Sequence, residues 1–562
     1  MDQIYNKYIK IFKPKKIYLS KKYQIYVKGE IYHNPKKLHQ LIIKNYEKKQ
    51  IEKLADKFNG NYIIFFNDLS KKFFFITNSQ TSYLNIFYRI NKNNFNVSNN
   101  INNLLKFEKS SNKYKYFEWL VLGGRALTNE TFLNNIFYLL PGESLSIDKD
   151  KNIKIYEKKY LSYITGRKEV SSKSLVKSLK AAMTLRTKNI KSNILLGLSG
   201  GLDSRILSGI SDKKKTITYT YGNLANFEKI FAHYISLKSG FKKHEEINIK
   251  GNEYFPKDIF NDFIKFGNLN STFQHNYQKK LFNNISKKYM SNNIMLGCAL
   301  DQFLGSSFSD KNLYKISNFN QFYSWFKKKY FLFSNSEIKK IFPDEYSIFF
   351  KKIKKNLLNI ISKFKYKNFV DLNDALHFEI RILRWYNRNL NFINNNEKII
   401  ISPTYDKHFL SNCFRTNFKN RIEDVYRKEM LKLINNELYE IPSLSGFLPP
   451  SINEKTKKSY KKIISQLENL NKKNDNLNKI PSFLYDVNLS RVILNSKDYI
   501  YFRSLVLKKL KFSKKQNLKI KSLNRQLLFS TKNNSINKIK KIIFLLSFYN
   551  IKIFLNEKRK RK

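Results

Sequence analysis

Cysteine is nearly absent from this chain, because Cys298 and Cys413 are the only two among its 562 residues. Two thiols so far apart exclude a disulfide framework and a cysteine-based zinc cluster, and they fit the reducing cytoplasm. The seven histidines are scattered, and none belongs to a local metal-ligand motif such as His-Glu-x-x-His. The sequence therefore predicts a cytoplasmic protein without a zinc motif.

Long apolar runs are also missing, and none reaches the ~20 residues that a membrane-spanning helix needs. The strongest run, residues 542–549, is interrupted by Asn550 and Lys552 and predicts a buried or interfacial helix. The first residues, Met1-Asp2-Gln3, do not open the apolar segment of a signal peptide. We therefore expect no membrane span.

Acidic residues are scarce, since 43 Asp and Glu face 106 Lys and Arg and leave a formal net charge of +63. A field of this size attracts polyanions such as nucleic acid. The excess is mostly lysine, however, and it is spread along the whole chain together with abundant Asn and Ile. That pattern is typical of an A/T-rich genome, so we do not expect nucleic acid to be the main partner.

The N-terminal part, residues 1–160, is predicted to be an α+β layered domain. Short alternating segments indicate strands, residues 35–57 indicate a helix, and the first residues form a polar, lysine-rich lead-in. The predicted strands are residues 25–32, 62–66, 73–77, 85–88, 144–147 and 153–156.

The pattern changes to alternation of strands and helices in residues 170–450. The predicted strands are 194–198, 216–221 and 244–249, and the predicted helices are 172–188, 203–210 and 226–239. This cadence favours an α/β domain with a doubly wound parallel sheet, followed by a helix-rich part from about 300 to 440. Residues 451–562 are predicted to be a lysine-rich, partly helical extension.

The most informative segment follows the strand at 194–198 and reads Ser199-Gly200-Gly201-Leu202-Asp203-Ser204. Adjacent glycines let backbone N–H groups approach a phosphate, and the two serines can add hydroxyl donors. Asp203 can bind a Mg²⁺ that bridges phosphates, and the helix that follows favours an anion at its N-terminus. The segment therefore predicts ATP binding, with an ordinary glycine-rich turn as the alternative.

A second loop, residues 295–305, also follows an apolar stretch and carries Asp301 between glycines. An acid that faces Asp203 would complete a Mg²⁺ site on the leaving pyrophosphate, where charge accumulates as the Pα–O bond breaks. The alternative is an aspartate that simply begins a helix.

The Ser-Gly-Gly-x-Asp-Ser loop resembles the pyrophosphate-binding loop of the N-type ATP pyrophosphatases, and the order of elements resembles the asparagine synthetase superfamily. Segments that carry the likeness are residues 58–62, Leu139-Leu140-Pro141-Gly142, Thr220-Tyr221-Gly222 and His244. The resemblance implies an N-terminal class II glutamine amidotransferase-like domain with an Ntn-hydrolase αββα sandwich, and then a synthetase domain. It is compatible with a homodimer.

The same resemblance implies roles for individual residues. Leu198, Tyr221 and Gly297 would line the adenosine pocket beside the loop, and Asp203 and Asp301 would bind Mg²⁺ and act in catalysis. ATP and Mg²⁺ are thus the expected cofactors. A small-molecule carboxylate and an amine or ammonia are the expected substrates.

Departures from the family pattern matter as much as the matches. A class II amidotransferase needs an N-terminal cysteine nucleophile, whereas this chain begins Met1-Asp2 and has no cysteine before Cys298. We therefore expect no glutaminase activity and a degenerate N-terminal domain. In the second loop, Ala299 and Gln302 replace a glycine and an acid.

The family usually has a lysine that stabilises the transition state of adenylation, and Leu444 stands at the corresponding position of this chain. Leucine cannot neutralise phosphate charge. Arg381, Arg384 and Arg388 could substitute for the lysine, because their i, i+3, i+7 spacing places them on one face of an α-helix. A solvated basic face is the alternative. The family's Glu-x-Arg is also replaced, by Ile399 and Ile401.

The sequence is best interpreted as an ATP-dependent ligase that forms AMP and pyrophosphate and joins a carboxylate to an amine. Two alternatives stay open. One is a pseudoenzyme that keeps the nucleotide fold as a binding module, and the other is an RNA-modifying ATP pyrophosphatase.

Overall fold

The computed structural model has a mixed α/β fold that combines antiparallel and parallel sheets with many helices. It describes residues 3–6, 9–12, 15–33, 35–91, 94–105, 107–108, 110–157, 169–222, 227–248, 276–297, 299–305, 311–388, 390, 398–422, 424–442, 450–452, 456, 459 and 462. Cys298, Leu444 and almost all of the predicted extension at 451–562 lie outside these residues.

The N-terminal part is rich in strands. In chain order it contains β1 (Gln3–Asn6), β2 (Ile9–Phe12), β3 (Lys15–Leu19), β4 (Tyr23–Ile31), α1 (Pro35–Glu47), a 3₁₀ helix (Ile51–Asp56), β5 (Gly60–Asp68), β6 (Phe73–Asn78), β7 (Phe87–Asn91), β8 (Asn94–Ser98), α2 (Lys113–Val121), β9 (Ile136–Tyr138), β10 (Ser144–Ile147) and β11 (Ile153–Tyr156). Six of these strands form an antiparallel sheet in the order β11-β10-β6-β5-β4-β3, and β1-β2-β8-β7-β9 form a second sheet.

Side-chain alternation along β5 shows how these sheets are layered. Successive side chains of a strand point to opposite faces, so Ile63 and Phe65 lie on one face and Ile64 and Phe66 on the other. The first pair belongs to a buried cluster with residues of β7 and β8, whereas the second pair packs with α1. Helix α2 shares a cluster with Phe87 of β7, so the order of packing is helix, sheet, sheet, helix.

The second part of the chain is built on a parallel sheet. Its elements are α3 (Ser172–Thr187), β12 (Ile194–Gly197), α4 (Leu202–Ile210), β13 (Thr216–Gly222), α5 (Phe227–Lys238), β14 (His244–Asn248), α6 (Asn276–Lys288), β15 (Asn293–Met295), α7 (Leu300–Leu304), α8 (Phe319–Tyr330), α9 (Asn335–Ile341), α10 (Tyr346–Ile361), α11 (Phe369–Leu376), a π-helix (His377–Tyr386), β16 (Ile399–Ile401), α12 (Lys407–Cys413), α13 (Phe418–Ile422), α14 (Val425–Ile434) and α15 (Asn436–Glu440).

The strand order of this sheet, β14-β13-β12-β15-β16, determines where a ligand can bind. From β12 the chain proceeds to β13 and β14 on one side, and β15 then pairs with β12 on the other side. In open parallel sheets the crevice at such a switch point, beyond the carboxyl ends of the strands, is the usual ligand site. The loops that follow β12 and β15 therefore meet there.

Agreement with the sequence interpretation is close in the parallel sheet, where predicted and observed boundaries of β12, β13 and β14 differ by at most one residue. The N-terminal lead-in is different, because residues that were expected to be a polar lead-in form β1, β2 and β3. The predicted helix at 35–57 is divided into α1 and a 3₁₀ helix. Within the described residues, no helix is both long and apolar enough to cross a bilayer.

A buried arginine holds the β12 loop in place. Arg205 of α4 has no exposed surface, and its guanidinium donates to four backbone carbonyl oxygens. These are the oxygens of Gly200 at 3.0 Å, Leu438 at 3.0 Å, Ile441 at 2.6 Å and Pro442 at 3.0 Å. The loop is thereby fixed to the segment that follows α15.

Replacing this arginine, Arg205→Met, should lower the free energy of unfolding by about 2–4 kcal/mol, because hydrogen bonds from a charged donor are lost and buried carbonyls remain unsatisfied. Urea unfolding followed by circular dichroism measures the change. The matched control is Lys177→Met on the exposed face of α3, which should leave stability nearly unchanged. Equal losses in the two variants would contradict the anchoring role.

Candidate functional site

The β12 loop is closed by its own two serines. The Ser199 N–H donates to Ser204 Oγ at 3.0 Å, the two hydroxyls are 2.9 Å apart, and the Ser204 hydroxyl donates to the Ser199 carbonyl oxygen at 3.1 Å. The Gly201 N–H donates to Ser199 Oγ at 3.2 Å. Gly201 is also the N-cap of α4 and offers no side-chain cap, so the first turn of this helix faces the loop with its backbone donors.

The β15 loop brings a second acid to the first. Asp301 lies in the first turn of α7, and its N–H donates to Asp203 Oδ2 at 2.9 Å. Ala299, the N-cap of α7, has a left-handed backbone with φ of 60°, a conformation that glycine adopts more readily than alanine. The structure therefore brings Asp203 and Asp301 together, as the sequence predicts.

An arginine that the sequence analysis did not single out completes this cluster. Arg427 of α14 donates to Asp203 Oδ1 at 2.6 Å. It also holds Asp424 with two bonds, Nε to Oδ1 at 2.5 Å and Nη2 to Oδ2 at 2.8 Å. A Cβ on Gly305 would come within 2.9 Å of Arg427 Nη2, so the absence of a side chain there gives the guanidinium its space.

Burial dominates the electrostatics of this cluster. It raises the pKa of Asp203 to about 6, although the charge of Arg427 lowers it, and the nearby Asp301 raises it further. Burial also opposes the charge of Arg427, but Asp203 and Asp424 outweigh it and raise the pKa of that guanidinium. The arginine is thus a permanent cation beside an acid that titrates near neutral pH.

The residues predicted to line an adenosine pocket lie at the same edge of the sheet. Leu198 follows β12 directly and donates its N–H to the Tyr219 carbonyl oxygen at 2.8 Å. Tyr221 is at the carboxyl end of β13, and Gly297 follows β15. A Cβ on Gly297 would contact the backbone of Asp203 and Ser204 at 3.5 Å, so the two loops are in close contact.

The three arginines proposed as phosphate contacts do not share one face. The segment 377–386 is a π-helix, whose i→i+5 bonding changes the spacing of side chains from that of the expected α-helix. Arg384 accordingly binds Glu379, five residues earlier, at 3.1 Å, and it also donates to the Leu127 carbonyl oxygen. Arg388 stacks on Tyr138 at 3.7 Å. Both are 2% exposed, so a solvated basic face is wrong for them.

Arg381 is the member of this set that lies near the acids. Burial lowers the pKa of Arg381 to about 10, the charge of Arg125 lowers it further, and Asp301 raises it. Arg125, Arg381 and His377 line a small pocket of about 10 Å³ with mostly apolar walls. Gln302 connects this pocket to the site, because its Nε2 donates to Asp301 Oδ2 at 2.6 Å and its Oε1 is 2.9 Å from His377 Nδ1.

Comparisons with known proteins give little guidance. No family model matches the sequence, and no curated protein matches it either. Among solved structures the chain is similar to the glutamine phosphoribosylpyrophosphate amidotransferase of B. subtilis in complex with ADP and GMP. The sequence identity is 8%, the TM-score is 0.16, and the match covers 41% of this chain and 71% of that one. A likeness this distant supports no conclusion about the present chain.

The raised pKa of Asp203 makes stability depend on pH. The folded protein holds this proton up to about pH 6, whereas an aspartate of the unfolded chain releases it near the ordinary pKa of 3.8. The stabilisation that this bound proton gives to the folded protein is therefore complete below pH 3.8 and is lost as the pH rises through about 6. We expect the stability of the wild type relative to Asp203→Asn to fall between about pH 4 and 6. Urea unfolding at several pH values measures this difference, and a constant difference would contradict the assignment.

Proposed function

We propose that this chain is an ATP-dependent ligase, which forms AMP and pyrophosphate and joins a carboxylate to ammonia or an amine. The observation that carries the proposal is the meeting of two acid-bearing loops at the switch point of a parallel sheet, where the Asp301 N–H bonds to Asp203. Glycine backbone donors and a helix N-terminus at the same place suit the phosphates of a nucleotide.

The finer assignment, a divergent member of the asparagine synthetase superfamily, is part of this proposal. The loop sequence 199–204 and the packing order helix, sheet, sheet, helix in the N-terminal part support it. The N-terminal part would then be a degenerate amidotransferase-like domain.

Mg²⁺ fits the donor set, because it prefers carboxylate and phosphate oxygens, and Asp203 and Asp301 supply two carboxylates. When bound, the ion would stabilise the negative charge of the leaving pyrophosphate. One oxygen of Asp203 is bonded to Arg427 and the other to the Asp301 N–H. Each oxygen keeps a second lone pair for a metal, but the neighbouring guanidinium charge opposes a cation there.

The proposed reaction has two steps. An oxygen of the substrate carboxylate attacks the α-phosphorus of ATP, the bond to the bridging oxygen breaks, and pyrophosphate leaves. The amine nitrogen then attacks the carbonyl carbon of the acyl-adenylate, loses a proton and displaces AMP. In the first step the chain contributes the loop 199–204 to orient the phosphates and the Arg427 cation beside the acids to offset developing charge.

Arg427 is our candidate for the cation that Leu444 cannot supply. Its side chain is 14% exposed, it bonds directly to Asp203, and Asp424 holds it in a bidentate pair. An arginine in this position can form two bonds to phosphate oxygens. The same ion pair favours a second candidate function, a nucleotide-binding pseudoenzyme, because the Arg427 charge opposes a metal ion at Asp203.

The reaction class can be tested without knowing the substrate, by incubating the protein with MgATP, hydroxylamine and pools of carboxylates. We expect AMP and pyrophosphate in equal amounts together with hydroxamate, and at least about 100-fold less in Asp203→Asn, because a group at the phosphate site is lost. Asp212→Asn, an exposed aspartate before β13, is the matched control. Formation of ADP and phosphate would refute the proposal. MgATP binding without AMP formation would favour the pseudoenzyme.

The role of Arg427 separates the two candidate functions. If it stabilises the transition state, Arg427→Met should lower kcat about 100-fold with a smaller change in the KM for ATP, and Arg427→Lys should restore part of the rate. Lys432→Met on the exposed side of the same helix is the control. A gain of MgATP affinity or turnover in Arg427→Met would instead show that the arginine blocks the acids.

A further inference from the structure

A second cluster of potential ligands lies at the edge of the parallel sheet. His244 and Glu246 are two residues apart on the edge strand β14, so both side chains lie on the same face, which α5 covers. His233 comes from α5. One ligand atom from each of these three residues lies within 4.8 Å of the other two, and His233 Nδ1 is 3.2 Å from Glu246 Oε1.

The orientation of His244 is fixed by a neighbour in the sheet. Thr218 is its register partner on β13, and Thr218 Oγ1 is 2.9 Å from His244 Nδ1. The Thr218 hydroxyl also lies 2.7 Å from Ser236 Oγ and 3.2 Å from the Lys243 carbonyl oxygen, so when its proton is donated to one of these it accepts a hydrogen bond from His244 Nδ1–H. This tautomer leaves the lone pair on Nε2, which is buried and has no hydrogen-bond partner among the residues that the structure describes.

This arrangement is the one that metal-binding histidines use, in which one ring nitrogen donates to an outer group and the other carries the lone pair. Two imidazole nitrogens and a carboxylate oxygen form a ligand set of the kind found around Zn²⁺, with a further position for water. We propose that His233, His244 and Glu246 bind a divalent transition-metal ion of the Zn²⁺ type and that Thr218 positions His244 for it.

The other charges near the cluster include one cation. Glu245 points to the opposite face of β14, where it binds Lys288 at 2.6 Å and Tyr289 at 2.8 Å. Lys229, one helical turn before His233, donates to Asn248 Oδ1 and is also attracted by Glu246, so a metal ion would compete with its ammonium group for that carboxylate. Burial lowers the pKa of His244 to about 4, with His233 contributing in the same direction, so the imidazole of His244 is neutral at physiological pH.

The consequence of such a site would be a cross-link between α5 and β14. Among the strands that the structure describes, β14 pairs only with β13, unlike the central strands of this sheet. A metal bound by two residues of β14 and one of α5 would stabilise the packing of the helix on this edge strand. The site is separate from the acids Asp203 and Asp301, so its occupation can be tested independently of the proposed ligase reaction.

The test uses the full chain without a purification tag, after treatment with a chelator. Titration with Co²⁺ should give saturable visible absorption of a four- or five-coordinate ion at one equivalent, and Zn²⁺ should displace it. Zn²⁺ should also raise the Tm. Absence of a one-equivalent, saturable signal in the wild type would overturn the proposal.

Variants locate the site. His233→Ala and Glu246→Gln change partly exposed side chains, so the folds should survive, and each should weaken Co²⁺ binding at least about tenfold and abolish the Zn²⁺-dependent rise in Tm. Thr218→Val removes the positioning hydroxyl and should weaken binding about tenfold. His408→Ala, an exposed histidine of α12, is the matched control. Unchanged affinity in both ligand variants would place the metal elsewhere and refute the assignment.

Discussion

Partial burial of the Asp203 carboxylate, whose side chain is 21% exposed, is the constraint on which the arrangement at the switch point depends. A carboxylate that loses part of its contact with water needs hydrogen-bond donors for its oxygens. The Asp301 N–H and the Arg427 guanidinium are those donors, and they come from α7 and α14. Satisfying one acid therefore fixes two helices that are distant in sequence against the loop after β12.

Because acids are scarce in this chain, its buried cations do not all pair with a carboxylate. Several cations of this basic chain are buried, and they use acids, carbonyl oxygens or aromatic rings as partners. Arg186 of α3 pairs with Asp406 at 2.8 Å, Arg205 binds four carbonyl oxygens, and Arg388 stacks on Tyr138. The last contact joins the helical part to the N-terminal sheets. The net charge of +63 is thus compatible with an ordinary buried interior and need not indicate a polyanionic partner.

The local sequence pattern was sufficient to predict site residues that lie in the loop directly after an apolar strand. Asp203 and Asp301 could be found because each follows an apolar strand, and parallel topology then places such loops at one edge. Arg427 could not be found, since it belongs to a lysine-rich segment and its partner is 224 residues away. The grouping of His233 with His244 and Glu246 could not be found either, because it depends on the packing of α5 against β14. The strands β2 and β3 carry lysines and are only four and five residues long, so the sequence pattern there indicates a polar lead-in.

The π-helix at 377–386 connects two regions that the sequence treats as separate. Its first residue, His377, contacts Gln302 beside the acid loop, whereas Arg384 and the following Arg388 are held by residues of the N-terminal part. Because both ends are fixed, any change between i→i+5 and i→i+4 bonding would twist one end against the other. The helix therefore ties the position of Arg381, which is electrostatically coupled to Asp301, to the packing of the N-terminal sheets.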